Sequence, residues 1–173
     1  KATDKGHRPK RSILFLHVTG EESGLYGSNY YVSHPVFKIE HTVTNLNVDM
    51  IGRVDEKHKD RPAYVYLIGS DKLSKELHDL SEEVNKNFTE LKLDYTFNRD
   101  NDPNRFYYRS DHYNFAMKGV PVIFYFDGEN EDYHEPTDTA DKIDYDLLKL
   151  RTELIFYTAW KLANRTERVA LDA

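Results

Sequence analysis

Two adjacent carboxylates, Glu21 and Glu22, stand between Gly20 and Gly24, directly after the apolar run 12–18 (SILFLHV). Like charges held together at a strand end repel unless a cation or a proton compensates them, so one as metal ligand and the other as base is a sensible use of the pair. The blander use of adjacent glutamates is a solvated charge run. Asp49, in NVDMIG at 47–52, precedes a turn and has the ordinary alternative of a turn acceptor. His134, in YHEPTDT at 133–139, lies in a polar loop after a second apolar run. A neutral imidazole there suits a metal, although most loop histidines are simply exposed. HEPTD is not the helical zincin motif, because it lacks the second histidine and Pro136 breaks the i, i+4 spacing.

Nucleophilic alternatives fail on geometry. In GEESG at 20–24 the serine falls one place too late for a G-x-S-x-G elbow. Ser110-Asp111-His112 names the residue types of a hydrolytic triad, but consecutive side chains diverge and cannot form the relay. Ser110 and Asp111 are good helix N-caps, which is a sufficient structural use. The chain has no cysteine, so thiolate nucleophiles, disulfides and Cys-based zinc sites are excluded, and any metal must sit on His, Asp and Glu. A net charge of −6 opposes a nucleic-acid surface, and no apolar run approaches the ~20 residues of a membrane span.

The elements that must position these residues follow from periodicity. Residues 12–18, 42–50, 63–68 and 120–126 read as strands, with 12–18 and 120–126 mainly apolar as in strands buried on both faces. Residues 25–33 read as a short helix stopped before Pro35. Leu73, Leu77, Leu80, Val84 and Phe88 share one face of an amphipathic helix, and Leu147, Leu150, Leu154 and Tyr157 lie at helical spacing over 145–164. Leu91, Leu93, Tyr95 and Phe97 alternate as a half-buried strand, a short helix runs from Ser110 to Met117, and the charged tail after Asn164 reads as frayed. The 173 residues suit one domain, 1–173, of the α/β class: a three-layer sandwich around a mixed, largely parallel sheet. In such sheets ligands bind beyond the carboxyl ends of the strands, which is where Glu21, Asp49 and His134 fall.

In chain order, G-E-E-S-G-L-Y-G-S, N-V-D-M-I-G, S-D-H-x-x-F before G-V-P, and Y-H-x-P-x-D-T resemble the M28 family of zinc aminopeptidases, over about residues 10–164. The resemblance implies Glu21 as general base, Glu22 and His134 as ligands of one zinc, Asp49 as ligand of a second, and Tyr133 as an oxyanion donor. It places Asp111 and His112 along the substrate pocket. The implied reaction is removal of N-terminal residues from peptides, and the implied location is secreted or periplasmic. The family's upstream H-x-D and N-D-D motifs have no counterpart in the 20 residues before Glu21. The chain is therefore expected to be the C-terminal portion of a catalytic domain, incomplete at its N-terminal side. Alone it should bind at most one zinc, weakly, self-associate through uncovered surface and lack activity. A glutaminyl-cyclase-like acyltransferase and a noncatalytic binding module of the same fold are the alternatives. Retention of Glu21, Glu22, Asp49, Tyr133 and His134 in order favours catalysis.

Overall fold

The computed structural model describes residues 6–172. Four strands form one open mixed sheet in the order β1 (Asn45–Val48), β4 (Val122–Phe126), β2 (Tyr64–Ile68), β3 (Lys92–Asp94). β1 runs parallel to β4 and β3 parallel to β2, while the two central strands, β2 and β4, meet antiparallel with Leu67 opposite Tyr125. Both central strands are buried along their whole length, which is why they are apolar or aromatic without interruption.

The period of two sorts their side chains into two cores. Val65, Leu67, Ile123 and Tyr125 pack under α2 (Lys75–Phe88) and α4 (Tyr145–Asn164), against Leu77, Leu80, Val84, Leu154 and Leu162. Tyr64, Tyr66, Ile68, Phe124 and Phe126 face the other way, onto Phe97 and Phe106 of the loop 95–109. Beside them α1 (Tyr26–Ser33) and α3 (His112–Ala116) close the second face through Tyr31, Val32, Phe115 and Val122. The result is the helix–sheet–helix layering that the alternation of elements implies.

Caps set the long helices. The Ser74 hydroxyl accepts from the Leu77 amide at 3.1 Å and starts α2. One Asp144 carboxylate oxygen accepts from Asp146 and Leu147 at 3.1 and 3.0 Å and starts α4. Phe88, aligned with the core face of α2 by spacing, is exposed at its last position and stacks on Tyr157 with ring centroids 4.4 Å apart.

Three segments differ from the sequence reading. The half-buried strand expected over 91–97 pairs only at Lys92–Asp94, because the Asp94 carboxylate accepts from the Thr96 amide at 2.8 Å and turns the chain into a 3-10 turn at Thr96–Asn98. The tail is docked rather than frayed. Arg168 donates to the Glu40 and Thr42 carbonyls at 2.6 and 2.7 Å, Val169 is buried, and the Asp172 amide bonds the Leu73 carbonyl at 3.0 Å. Its charges serve backbone partners, which a composition argument does not register.

The third is residues 12–18, expected as a strand buried on both faces. The segment is held at its ends, by the Arg11 amide on the Ala163 carbonyl at 2.9 Å and by the Gly27 amide on the Thr19 carbonyl at 2.8 Å. Between them it joins no sheet, and Ile13, Leu14, Phe15 and Leu16 are all exposed, Phe15 by 83%. Among the described residues no strand pairs with it. Four consecutive apolar side chains in water are an adhesive surface. At micromolar concentration the chain is expected to sediment as a dimer or larger species, and Leu14→Lys with Phe15→Lys to shift it toward monomer. A monomeric unaltered chain would contradict this.

Candidate active site

The site is assembled at the ends of segments that the fold brings together. After residues 12–18 the chain turns sharply, with the Gly24 and Leu25 amides both donating to the Glu21 carbonyl at 3.0 and 2.9 Å. The turn needs glycine at two places. Gly20 has φ of +70°, and a Cβ at Gly27 would stand 2.5 Å from the Thr19 nitrogen. Thus GEESGLYG packs the first turn of α1 against the Thr19 backbone and fixes Glu21 and Glu22 beside the sheet.

Asp49 directly follows β1. Its Oδ2 accepts from the Ser110 hydroxyl at 2.7 Å, and that hydroxyl accepts from Asn47 Nδ2 at 2.9 Å. Ser110 is therefore not a helix cap. Asp111 has helical φ and ψ, and no side chain caps α3. The serine of the SDH motif orients Asp49, a role that spacing does not reveal. Asp111 Oδ1 is buried with no hydrogen-bond partner.

His134 and Tyr133 come from the loop after β4, their rings stacked with centroids 3.8 Å apart. His134 Nε2 lies 3.0 Å from Glu22 Oε1, across 112 residues of sequence. The Tyr133 hydroxyl accepts a long bond, 3.4 Å, from Arg109, which also reaches Glu129 at 3.3 Å. Arg109 is a further charged member of the site that the motifs did not flag.

The electrostatics are those of a crowded anionic cleft. Burial, then Asp49, Glu22 and Asp111 in turn, raise the Glu21 carboxyl to about 7, and Arg109 opposes them. Burial also raises Asp49, with the Ser110 hydrogen bond acting against it and Glu22 and Asp111 adding to it. Burial raises the Tyr133 phenol as well, against the pull of Arg109. Glu21, Glu22, Asp49, Asp111, Tyr133 and His134 thus lie within electrostatic reach of one another.

His112, which the resemblance places along the substrate pocket, lies in the core. It is fully buried, stacked on Phe124, and neither ring nitrogen makes a hydrogen bond of good geometry. Burial pushes the imidazole down to about 3, only partly opposed by the Tyr107 backbone. An unfolded chain takes up a proton on this ring below about 6.5, whereas the folded chain does so only near pH 3. The ring therefore adds no pH dependence above about pH 6.5, and stability is lost as pH falls from there toward 3. Denaturation of the unaltered chain and of His112→Leu should therefore diverge below pH 6.5 by up to about 1.4 kcal/mol per pH unit. Parallel curves would mean that the ring is not held neutral.

The Glu22–His134 spacing fits two ligands of one zinc, since donor atoms on a tetrahedral ion with bonds of about 2.0–2.1 Å stand roughly 3.3 Å apart. Asp49 Oδ2 is engaged by the Ser110 hydroxyl. Among the described residues no group of three His, Asp or Glu is spaced to hold an ion. The residues present fit part of a zinc site.

Carboxylates and an imidazole gathered beside an α/β sheet are the donor types from which a metallohydrolase centre can be built. The chain belongs to peptidase family M28, whose family model matches residues 1–159. It is 27% identical over 210 residues to a probable zinc metalloprotease of Pyrenophora tritici-repentis, covering 96% of this chain and 42% of that protein. A 44-residue stretch is 43% identical to a vacuolar membrane protease of Aspergillus flavus, covering 25% of this chain and 5% of the relative. The fold is similar to that of LapB from Legionella pneumophila, with a TM-score of 0.75 and 20% identity over 95% of this chain and 43% of that one. It is also similar to the LapA aminopeptidase of the same organism, with a TM-score of 0.71 and 19% identity over 87% and 38%. The chain spans about two fifths of the length of the metalloprotease relative and of these structures. Among the described residues no helix is long and apolar enough to cross a membrane.

Proposed function

We propose that this chain carries the general base and part of the metal-binding half of a zinc-dependent aminopeptidase, and that residues outside it complete the centre. The observation that carries the reading is the convergence of Glu21, Glu22, Asp49 and His134 from three separated segments. Family membership and the aminopeptidase fold of LapA support it. So does the exposed segment 12–18, an apolar strand sequence awaiting partners.

In this reading Glu22 and His134 hold one zinc and Asp49 a second. Bound zinc supplies Lewis-acid polarisation and a more acidic water. Glu21 takes the proton of the attacking water and returns it to the leaving amine. Tyr133 donates a hydrogen bond where negative charge develops on the scissile carbonyl oxygen. The substrate is a peptide with a free N-terminus.

Metal titration tests the ligand assignment. The isolated chain is expected to bind one zinc at most, weakly, because the described ligands leave each cation incompletely surrounded. Glu22→Gln and His134→Ala should abolish that binding, while Glu21→Gln should retain it. Two tight zinc ions per chain would show that a ligand has been misplaced. The chain alone is expected to be inactive on an amino-acyl anilide, and turnover by a monomeric chain would overturn the completion from outside. Cyclisation of N-terminal glutamine without peptide hydrolysis, by the full-length protein, would replace the peptidase reading with the acyltransferase one.

A further inference from the structure

Asp138, the aspartate of YHEPTDT, has no part in the chemistry above, and neither has Arg53, which stands one residue past the NVDMIG segment. The structure joins them. Arg53 Nη1 lies 2.6 Å from Asp138 Oδ1, and Nη2 lies 2.7 Å from Asp132 Oδ2. The two arms of one guanidinium thus grip both ends of the segment that carries Tyr133 and His134.

Arg53 is itself well anchored. Its amide donates to Asp127 Oδ2 at 2.5 Å and its carbonyl accepts from the buried Arg151 at 2.7 Å, so its backbone belongs to the core. The segment it grips has weak internal support. Its backbone bonds are short-range turns, from Tyr133 to Asn130, Glu135 to Asp132 and Asp138 to Glu135. His134 has φ of +59°, a conformation that a residue with a Cβ holds only when its surroundings impose it. Lys142 takes the other oxygen of Asp132 at 2.6 Å, but it reaches one end only.

We propose that Arg53 is the positioning residue for the Tyr133–His134 pair, bridging Asp132 and Asp138 so that the phenol and imidazole are held where the core dictates. Because Arg53 lies four residues after Asp49, a single loop carries one proposed metal ligand and sets the position of another. The inference rests on the peptidase reading only for what the pair does; its geometry stands apart from that. Lysine is a poor substitute, since a single ammonium lacks the fork that serves two separated carboxylates.

Amide exchange and NMR of the whole chain test it without activity or metal. Arg53→Gln and Asp138→Asn should each speed exchange at the Glu135 and Asp138 amides tenfold or more and shift the Tyr133 and His134 ring resonances together as the stack loosens. Asp138→Asn, at a half-exposed position, guards against loss of the fold. Arg53→Lys should recover only part of the protection, and Lys142→Met should change it less than twofold. Exchange within twofold of the unaltered chain in Asp138→Asn, or full rescue by lysine, would overturn the bridge. Titration with Zn2+ then separates the two readings: the His134 ring should respond at fivefold or more higher zinc in Arg53→Gln. If the unaltered ring ignores zinc, the ligand assignment falls, and the exchange result still judges Arg53.

Discussion

On the proposed aminopeptidase reading, Glu21→Gln is expected to lower kcat of the full-length protein by about 10² or more with metal still bound, and to make the metal-free chain slightly more stable above pH 7. The two effects share one cause. Burial and the neighbouring Asp49, Glu22 and Asp111 raise Glu21 to about 7, so the folded chain prefers the carboxyl protonated. Stability falls as pH rises from the ordinary carboxylate range through about 7, because the unfolded chain gives up that proton earlier. Glutamine keeps the shape and removes the charge. Glu21 is only partly buried, so screening limits the gain to a few tenths of a kcal/mol up to about 1. Kinetics on an amino-acyl anilide with metal analysis reads the first effect, and denaturation at pH 8 the second. Full activity in Glu21→Gln would remove it as the base.

The acidic and imidazole residues were legible in the sequence because each sits in a polar cluster just after an apolar run, where an α/β sheet delivers ligand-binding side chains. Their order made the family recognisable. What spacing hid is the support around them. Ser110 looks like a cap by local rules, yet its hydroxyl is spent on Asp49, 61 residues away. Arg109 and Arg53 look like solvated charges, yet one faces Tyr133 and Glu129 and the other bridges Asp132 and Asp138. Such roles depend on pairs distant in sequence, for which local composition carries no signal.

The same division runs through the fold. β2, β4, α2 and α4 emerged near their observed bounds because the two strands are uninterrupted apolar runs and the two helices carry leucines at helical spacing. Residues 12–18 have an equally strong strand pattern and lie outside the sheet, since a strand needs hydrogen-bonding neighbours that its own sequence cannot report. The tail erred in the opposite direction, its charges fastening it to Glu40, Thr42 and α2.

The largest loss of stability is expected from Arg151→Met. The stripe Leu147, Leu150, Leu154 of α4 has this arginine at its centre, and sequence rules assign such a residue to solvent. It is instead wholly buried. Its guanidinium donates to the carbonyls of Tyr64, Ile51 and Arg53 at 2.8, 2.8 and 2.7 Å and to Asp127 Oδ2 at 3.1 Å, and lies over the Tyr64 ring. One side chain thereby ties α4 to β2 and to the loop after β1, the loop from which Arg53 reaches the His134 segment. Methionine matches the volume but strands the carbonyls and leaves Asp127 with one donor, the Arg53 amide. Burial already raises Asp127 to about 7 despite its partners, and losing the cation drives it further toward the neutral form. Breaking a buried pair from one side costs about 3–5 kcal/mol, so Arg151→Met should be unfolded or nearly so at 37 °C. Asp127→Asn should cost less, because it removes a charge without stranding those carbonyls, and adding it to Arg151→Met should recover part of the loss. Chemical denaturation of the two single variants and the double measures the coupling. Strict additivity would mean that the pair is not coupled and that Arg151 stabilises the fold through its backbone bonds alone.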